Sequence, residues 1–215
     1  MLPNEFNTKG KTLYLDEFDT LVASDIHFGK CRTPKFNTQK EYKKKYNRLQ
    51  STISELEVKT LILNGDTFYN PFIQDWNPLK EDDAALELLE NLQESVDEFV
   101  LLEGNHELTL GKFTDNIKEK FNTDTYYSVS EDILVYHGHS EPPKNAEHHI
   151  IGHLHPLRDS QPVFQYCEEG YQNSSVTVLP AFCNFVDGVD IRYYGGRCPV
   201  FEEGVDAREY KYLMV

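Results

Sequence analysis

Thr60-Leu61-Ile62-Leu63-Asn64-Gly65-Asp66 is the stretch on which the reading of the fold turns. Thr60 to Leu63 is a continuous, apolar run of strand length, the mark of a strand buried on both faces at the centre of a sheet. Gly65 then allows a tight turn, and Asp66 arrives just where the strand ends. In open α/β sheets, ligands gather beyond the carboxyl ends of the strands. Taken alone, Gly-Asp after a strand is an ordinary turn.

Outward from that stretch the arrangement recurs. Asp25-Ile26-His27 follows an apolar run at Leu21–Ser24, and Gly104-Asn105-His106-Glu107 follows Phe99–Leu102. His137-Gly138-His139 begins as Ile133–Tyr136 ends, and Gly152-His153-Leu154-His155 follows His149–Ile151. Five strand ends thus deliver Asp, His and Asn to what can be one edge. Asp25/His27 and His153/His155 are each two residues apart. In extended backbone that spacing puts both side chains on one side, so each pair could bite one metal centre. The donor set is nitrogen and oxygen without thiolate, which suits Mn, Fe or Zn better than Ca or a structural cysteine-zinc site. An aspartate between two metals can bridge them. Two metals ~3.5–4 Å apart can activate water and stabilise both oxygens of an in-line phosphoryl displacement.

The spaces between these motifs alternate in character. Leu13–Leu15 and Leu21–Ser24 read as strands joined by an acidic turn at Asp16–Asp19. Gln39–Leu56 reads as a helix with the stripe Tyr42, Tyr46, Leu49, Ile53 and Leu56, which leaves most of its lysines facing water. Glu81–Glu98 reads as a second helix, with Ala85, Leu88, Leu89, Leu92, Val96 and Phe99 at helical spacing. Thr114–Phe121 is a short third helix. Past Tyr126 the candidates are strands: Ile133–Tyr136, His149–Ile151, Phe164–Tyr166, Val176–Leu179, Val189–Arg192 and Tyr210–Leu213, punctuated by Gly, Pro, Asn and Asp. The simplest organisation is one α/β domain over residues 1–215, with two packed sheets.

Composition narrows the class. The chain has 215 residues, 39% hydrophobic and 27% charged, as a folded globular domain does. No apolar run approaches the ~18–20 residues that span a bilayer, so a soluble cytoplasmic protein with no membrane partner is expected. The four cysteines, Cys31, Cys167, Cys183 and Cys198, form no Cys-x-x-Cys pair, which argues against a zinc ribbon and fits reduced thiols. A net charge of −15 opposes a broad nucleic-acid surface. Yet Lys30, Arg32, Lys35, Lys40, Lys43, Lys44, Lys45 and Arg48 face a single acid, Glu41, between Lys30 and Arg48. That basic stretch begins beside Asp25-Ile26-His27, so it could take DNA or RNA at the rim of a cleft, or be a solvated helix face. His148 and His149 read as surface or edge residues.

In their order, these motifs resemble the calcineurin-like metallophosphoesterase superfamily. The resemblance implies a four-layer α/β/β/α sandwich of two mixed sheets flanked by helices. It implies two divalent metal ions, manganese first, with Fe, Zn, Co or Ni as alternatives. Asp25, His27 and His155 would hold one metal; Asn105, His137 and His153 the other; Asp66 would bridge. His106 would contact the phosphate and act as general acid while a metal-bridging hydroxide attacks. Asn105, His106 and Lys30 would touch substrate. Glu107 would hydrogen-bond a ligand, and His139 is a rival to His137. The stretches Ala23–Lys30, Gly152–Pro156 and Leu179-Pro180-Ala181-Phe182 are similar to one branch, that of archaeal proteins and bacterial ligase-associated phosphoesterases. That branch implies a manganese-dependent phosphodiesterase acting on nucleic acid, with DNA-repair proteins as partners. The chain departs from protein phosphatases, which follow Gly-Asp with an acid and an arginine; here Thr67-Phe68-Tyr69-Asn70 stand instead. A phosphomonoesterase of a small metabolite and a non-catalytic interaction module on the same fold are the alternatives.

Overall fold

The computed structural model describes residues 6–29, 38–69, 78–107, 112–184, 186–190 and 210–215. The basic loop that includes Lys30, Arg32 and Lys35 lies outside the described residues, as do Cys31, Cys198 and the Ile191–Arg192 end of the expected Val189–Arg192 strand.

The chain starts with a hairpin, β1 (Phe6–Lys9) and β2 (Thr12–Leu15), and a 3-10 turn at Asp16–Phe18 leads into β3 (Thr20–Ser24). Then α1 (Thr38–Leu56), β4 (Thr60–Asn64), α2 (Pro78–Gln93), β5 (Glu98–Leu102), α3 (Lys112–Phe121) and β6 (Thr123–Asp124) alternate. These strands form a six-stranded sheet in sequence order, parallel from β3 to β6. Among the described residues, the second half is strand only. It runs β7 (Tyr126–Ser128), β8 (Ile133–Tyr136), β9 (His148–Ile151), β10 (Pro156–Arg158), β11 (Gln161–Tyr171), β12 (Ser174–Val178), β13 (Val189–Asp190) and β14 (Lys211–Met214). Its order is β13-β10-β11-β12-β9-β8-β7, with β14 paired to β11. Both sheets mix parallel and antiparallel pairs.

Three cores explain the layering. Ile62, Val22, Val100 and Leu102 of the first sheet pack against Ile133, Val135, Ile150 and Phe164 of the second, so the sheets lie face to face. The neighbouring residues Leu21, Ala23, Leu61 and Leu63 point the other way, onto Leu49 and Ile53 of α1, Leu89 of α2 and Phe121 of α3. This is why Leu61-Ile62-Leu63 is apolar without alternation: both faces are covered, and all three side chains are fully buried. Each such side chain contributes about 1.5–3 kcal/mol. The outer face of the second sheet carries a third cluster, with Leu134, Tyr136, Ile151, Cys167 and Val176, to which no described helix contributes.

The structure departs from three local expectations. First, α2 ends at Gln93 rather than Glu98, because the N–H groups of Asp97 and Glu98 donate to the Lys59 carbonyl and draw the chain into β5. Second, Lys45 is buried on the core side of α1 between Tyr42 and Leu49 instead of facing water. Third, His148 and His149 are not at the surface. Both are buried in β9 and, one residue apart in a strand, take opposite faces. His148 sits against Phe6 and Tyr166, His149 against Tyr136 and Tyr171. No described helix is long and apolar enough to cross a membrane.

Candidate metal centre

The parallel register brings the first three motifs level. Ser24 pairs with Asn64, and Asn64 with Leu102, so β3, β4 and β5 end together. Asp25, Asp66 and Asn105 then follow within three residues of those ends. From the facing sheet, β8 and β9 end in parallel register beside them and supply His137 and His153. The site therefore forms along the seam where the carboxyl edges of the two sheets meet.

The loops are laced by backbone. The N–H groups of Asp25, His27 and Phe28 donate to the carbonyls of Gly65, Asp66 and Thr67 at 3.2, 2.9 and 2.8 Å. Those of Phe182 and Cys183 donate to Ser24 and Asp25 at 2.9 and 3.1 Å, which ties the Leu179–Phe182 segment to the first motif. Asp25, His27, Asp66, His153 and His155 all have positive φ, between 46° and 64°. Asp and His enter this left-handed region more readily than most residues, and such conformations persist where the surroundings over-determine them. Gly152 is required by proximity: a Cβ there would lie 1.7 Å from Ser24 Oγ and 2.6 Å from Asp25 Oδ2. At Gly104 a Cβ would lie 2.2 Å from Asp66 Oδ1.

Each carboxylate is anchored by one oxygen and aimed with the other. Asp25 Oδ2 lies 2.6 Å from Ser24 Oγ and accepts the His153 N–H at 3.1 Å. Its Oδ1 faces the Nε2 atoms of His155, His27 and His137 at 2.9, 3.9 and 4.0 Å. Asp66 Oδ1 accepts the His106 N–H at 2.9 Å, while Oδ2 faces His137 Nε2 at 3.3 Å and His106 Nε2 at 3.6 Å. Burial pushes both carboxyls up, but for Asp25 the imidazoles of His155, His137 and His27, and for Asp66 those of His137 and His106, outweigh it, so both sit below the usual carboxylate range.

The imidazoles are oriented in the same way. His137 Nδ1 lies 3.0 Å from the Asn64 carbonyl and His155 Nδ1 lies 2.9 Å from that of Asp187. With Nδ1 held by a backbone carbonyl, each Nε2 faces inward onto a carboxylate and can offer its lone pair to a cation that displaces its proton, as in metal-bound histidines whose other nitrogen is held by a carbonyl. Burial holds His27 down to about 3 and His153 down to about 4. For His137 burial acts downward too, but Asp66 and Asp25 overcome it and raise the ring to about 9.

Three groups of donors converge to within 4.8 Å: Asp25, His27 and His155; His27, Asp66 and His106; and Asp66, His137 and His153. Among the described residues, Asn105 Oδ1 is buried without a hydrogen-bond partner. A buried donor or acceptor left unpaired costs about 1–3 kcal/mol. Imidazole Nε2 atoms aimed inward, ionised carboxylates and an orphaned amide oxygen together fit divalent cations. The His153/His155 spacing does not act as expected: left-handed backbone splits the pair, His155 joining Asp25 and His27 while His153 joins Asp66 and His137. His137, rather than His139, falls in these groups; the His139 ring stands 5.4 Å from that of His137 and 6.2 Å from that of His153.

Glu107 braces the floor. Its buried carboxylate accepts the N–H groups of Asp66, Phe68 and Gly104 at 3.0, 2.9 and 2.9 Å. Burial and then the Asp66 charge push it up to about 7, against the pull of those N–H donors. Two contributors escaped the reading of the sequence. Lys45 donates to the Ile26 and His27 carbonyls at 2.6 and 2.9 Å, and its place three residues after Tyr42 and four before Leu49 was the available signal. Tyr69, with its ring 5.0 Å from that of His106 and 5.6 Å from that of His27, carried none.

A family profile described as calcineurin-like phosphoesterase matches residues 18–191. The chain belongs to that family. It is accordingly a metal-dependent phosphoesterase, a hydrolase of phosphoric esters, although the match does not distinguish the branch. The crystal structure of Pseudomonas putida nuclease MPE superposes with a TM-score of 0.62 at 22% identity, covering 86% of each chain; at that identity the likeness is one of fold. Comparison with curated proteins gives no match.

Proposed function

We propose that this phosphoesterase is a manganese-dependent phosphodiesterase acting on nucleic acid, with residues 1–215 working as one domain. The observation that carries it is the pair of donor groups sharing one cleft, Asp25/His27/His155 and Asp66/His137/His153, with Asn105 Oδ1 orphaned beside them. Asp25, His27 and His155 would hold one divalent cation and Asn105, His137 and His153 a second, with Asp66 between; Fe, Zn, Co or Ni would also suit these donors. Bound there, two cations would supply Lewis acidity and an activated water.

The remaining work falls to the chain. The His106 side chain is 26% exposed, so its ring can meet a substrate while the backbone N–H of His106 stays on Asp66. From that position Nε2 can deliver a proton to the departing oxygen. Asn105 and His106 would flank the phosphate, with Lys30, three residues after His27 in the sequence, as a further contact. Lys43 and Lys44 are exposed on α1, Lys44 beside Glu41 at 2.6 Å, and this basic stretch would suit a polyanion. The buried free thiol Cys183 is consistent with a cytoplasmic setting.

Hydrolysis of bis-p-nitrophenyl phosphate by metal-stripped protein reloaded with each cation tests the reading. Activity should return first with manganese, and oligonucleotide cleavage should fall steeply with salt. No hydrolysis of any diester under any of these cations would overturn it.

A further inference from the structure

Beyond the donor groups, three cations, Lys11, Lys45 and Arg48, gather around Phe182 and Cys183. Lys11, at the Gly10–Lys11 turn joining β1 to β2, is 6% exposed, and its Nζ donates to the Cys183 carbonyl at 3.2 Å. An ammonium carries three donors; among the described residues this bond is the one that Lys11 makes. Lys45 Nζ lies 3.5 Å from Cys183 Sγ. The Arg48 guanidinium lies 5.0 Å from the Phe182 ring centre and packs against Gly10, where a Cβ would lie 2.3 Å from its Nη2. Burial, then Arg48 and Lys45, bring Lys11 down to about 8.

Lys11 also lines a cavity of about 260 Å³, together with His155, Pro156, Ala181, Cys183 and Asn184. No described carboxylate lines it. His155 is thus shared: its Nε2 faces Asp25, and the residue lines the same cavity as Lys11. A buried ammonium with unused donors, beside two more cations, costs stability unless a negative group completes it.

We propose that Lys11 forms an anion subsite beside the metal centre, taking a second phosphate of the substrate next to the scissile one. This rests on the phosphodiesterase reading and deepens it. A substrate with two neighbouring phosphates engages the metal centre and Lys11 together, so the enzyme selects nucleotide chains over isolated diesters. Lys45 and Arg48 raise the positive potential without reaching the ligand.

The test compares thymidylyl dinucleotides bearing no terminal phosphate, a 5′-phosphate or a 3′-phosphate in manganese-loaded protein. One phosphorylated dinucleotide should be preferred in kcat/KM by roughly tenfold, the worth of one charge-assisted hydrogen bond. Lys11→Met should collapse that preference and Lys11→Arg should restore most of it. In metal-free protein, inorganic phosphate should raise the melting temperature of the wild type and not of Lys11→Met. Equal rates on all three dinucleotides, or a preference and a phosphate response that survive Lys11→Met, would overturn the subsite while leaving the diesterase reading intact. Absence of diester hydrolysis would fail that reading instead, and the metal-free phosphate response would still judge Lys11.

Discussion

Lys45 Nζ lies 2.9 Å from the carbonyl oxygen of His27, a residue eighteen positions earlier, and from α1 it holds open the left-handed bend that turns His27 inward. The same ammonium also takes the Ile26 carbonyl. Lys45→Met removes both bonds while keeping the buried stem. The loop should then relax, and manganese affinity should fall about 10–100-fold, the range seen when groups supporting a ligand are lost. Calorimetric titration of metal into stripped protein measures it; wild-type affinity would show that the loop holds its own shape.

His106 and Asp66 should separate chemistry from metal retention. His106→Ala should lower kcat on bis-p-nitrophenyl phosphate by about 10²–10⁴-fold with bound metal per chain unchanged by elemental analysis. Asp66→Asn should lower both, since Asp66 belongs to two donor groups. Loss of metal in His106→Ala would recast His106 as a ligand, which its presence in the His27/Asp66 group makes a real alternative.

Gly152→Ala should be costly out of proportion to one methyl. The new carbon would meet Ser24 Oγ and Asp25 Oδ2, so something must shift at the centre. We expect about 3 kcal/mol lost in urea unfolding, at the upper end for overpacking. Adding Ser24→Ala should return part of that loss by removing the closest contact.

His148 sets a pH dependence. Burial, reinforced by His149, holds it to about 3, against an ordinary value of 6.5. Its Nε2 lies 3.0 Å from Thr177 Oγ1, Ser175 Oγ is close to Nδ1, and Tyr166 stacks on the ring. Between those two values the unfolded chain binds a proton that the folded chain refuses. The stability is therefore whole above 6.5 and is lost as pH falls toward 3, at up to about 1.4 kcal/mol per pH unit. Urea unfolding of metal-free protein across that window should give a shallower slope in His148→Leu than in the wild type.

Much of the fold could be read from β3, β4 and β5, because strands covered on both faces leave continuous apolar runs. The ligand loops could be read because each chemistry-bearing residue follows such a run. Other features hid for physical reasons. Lys45 and His148 are polar residues buried by partners distant in sequence, and composition cannot show those partners. The parting of His153 from His155 depends on φ, which two-residue spacing does not fix. The end of α2 was set by pairing between Lys59 and Asp97, against a helical pattern that runs on to Phe99.

Asp25 and His155 stand 130 residues apart in the chain. A cation held by both would close that loop as a disulfide does, and one held by Asn105, His137 and His153 would rivet the first sheet to the second. Such ions are then keystones as well as reagents. Their loading should register far from the cleft, as slower amide exchange along β8 and β9, and chelation should let the two sheets part along the seam before the helices melt from β4.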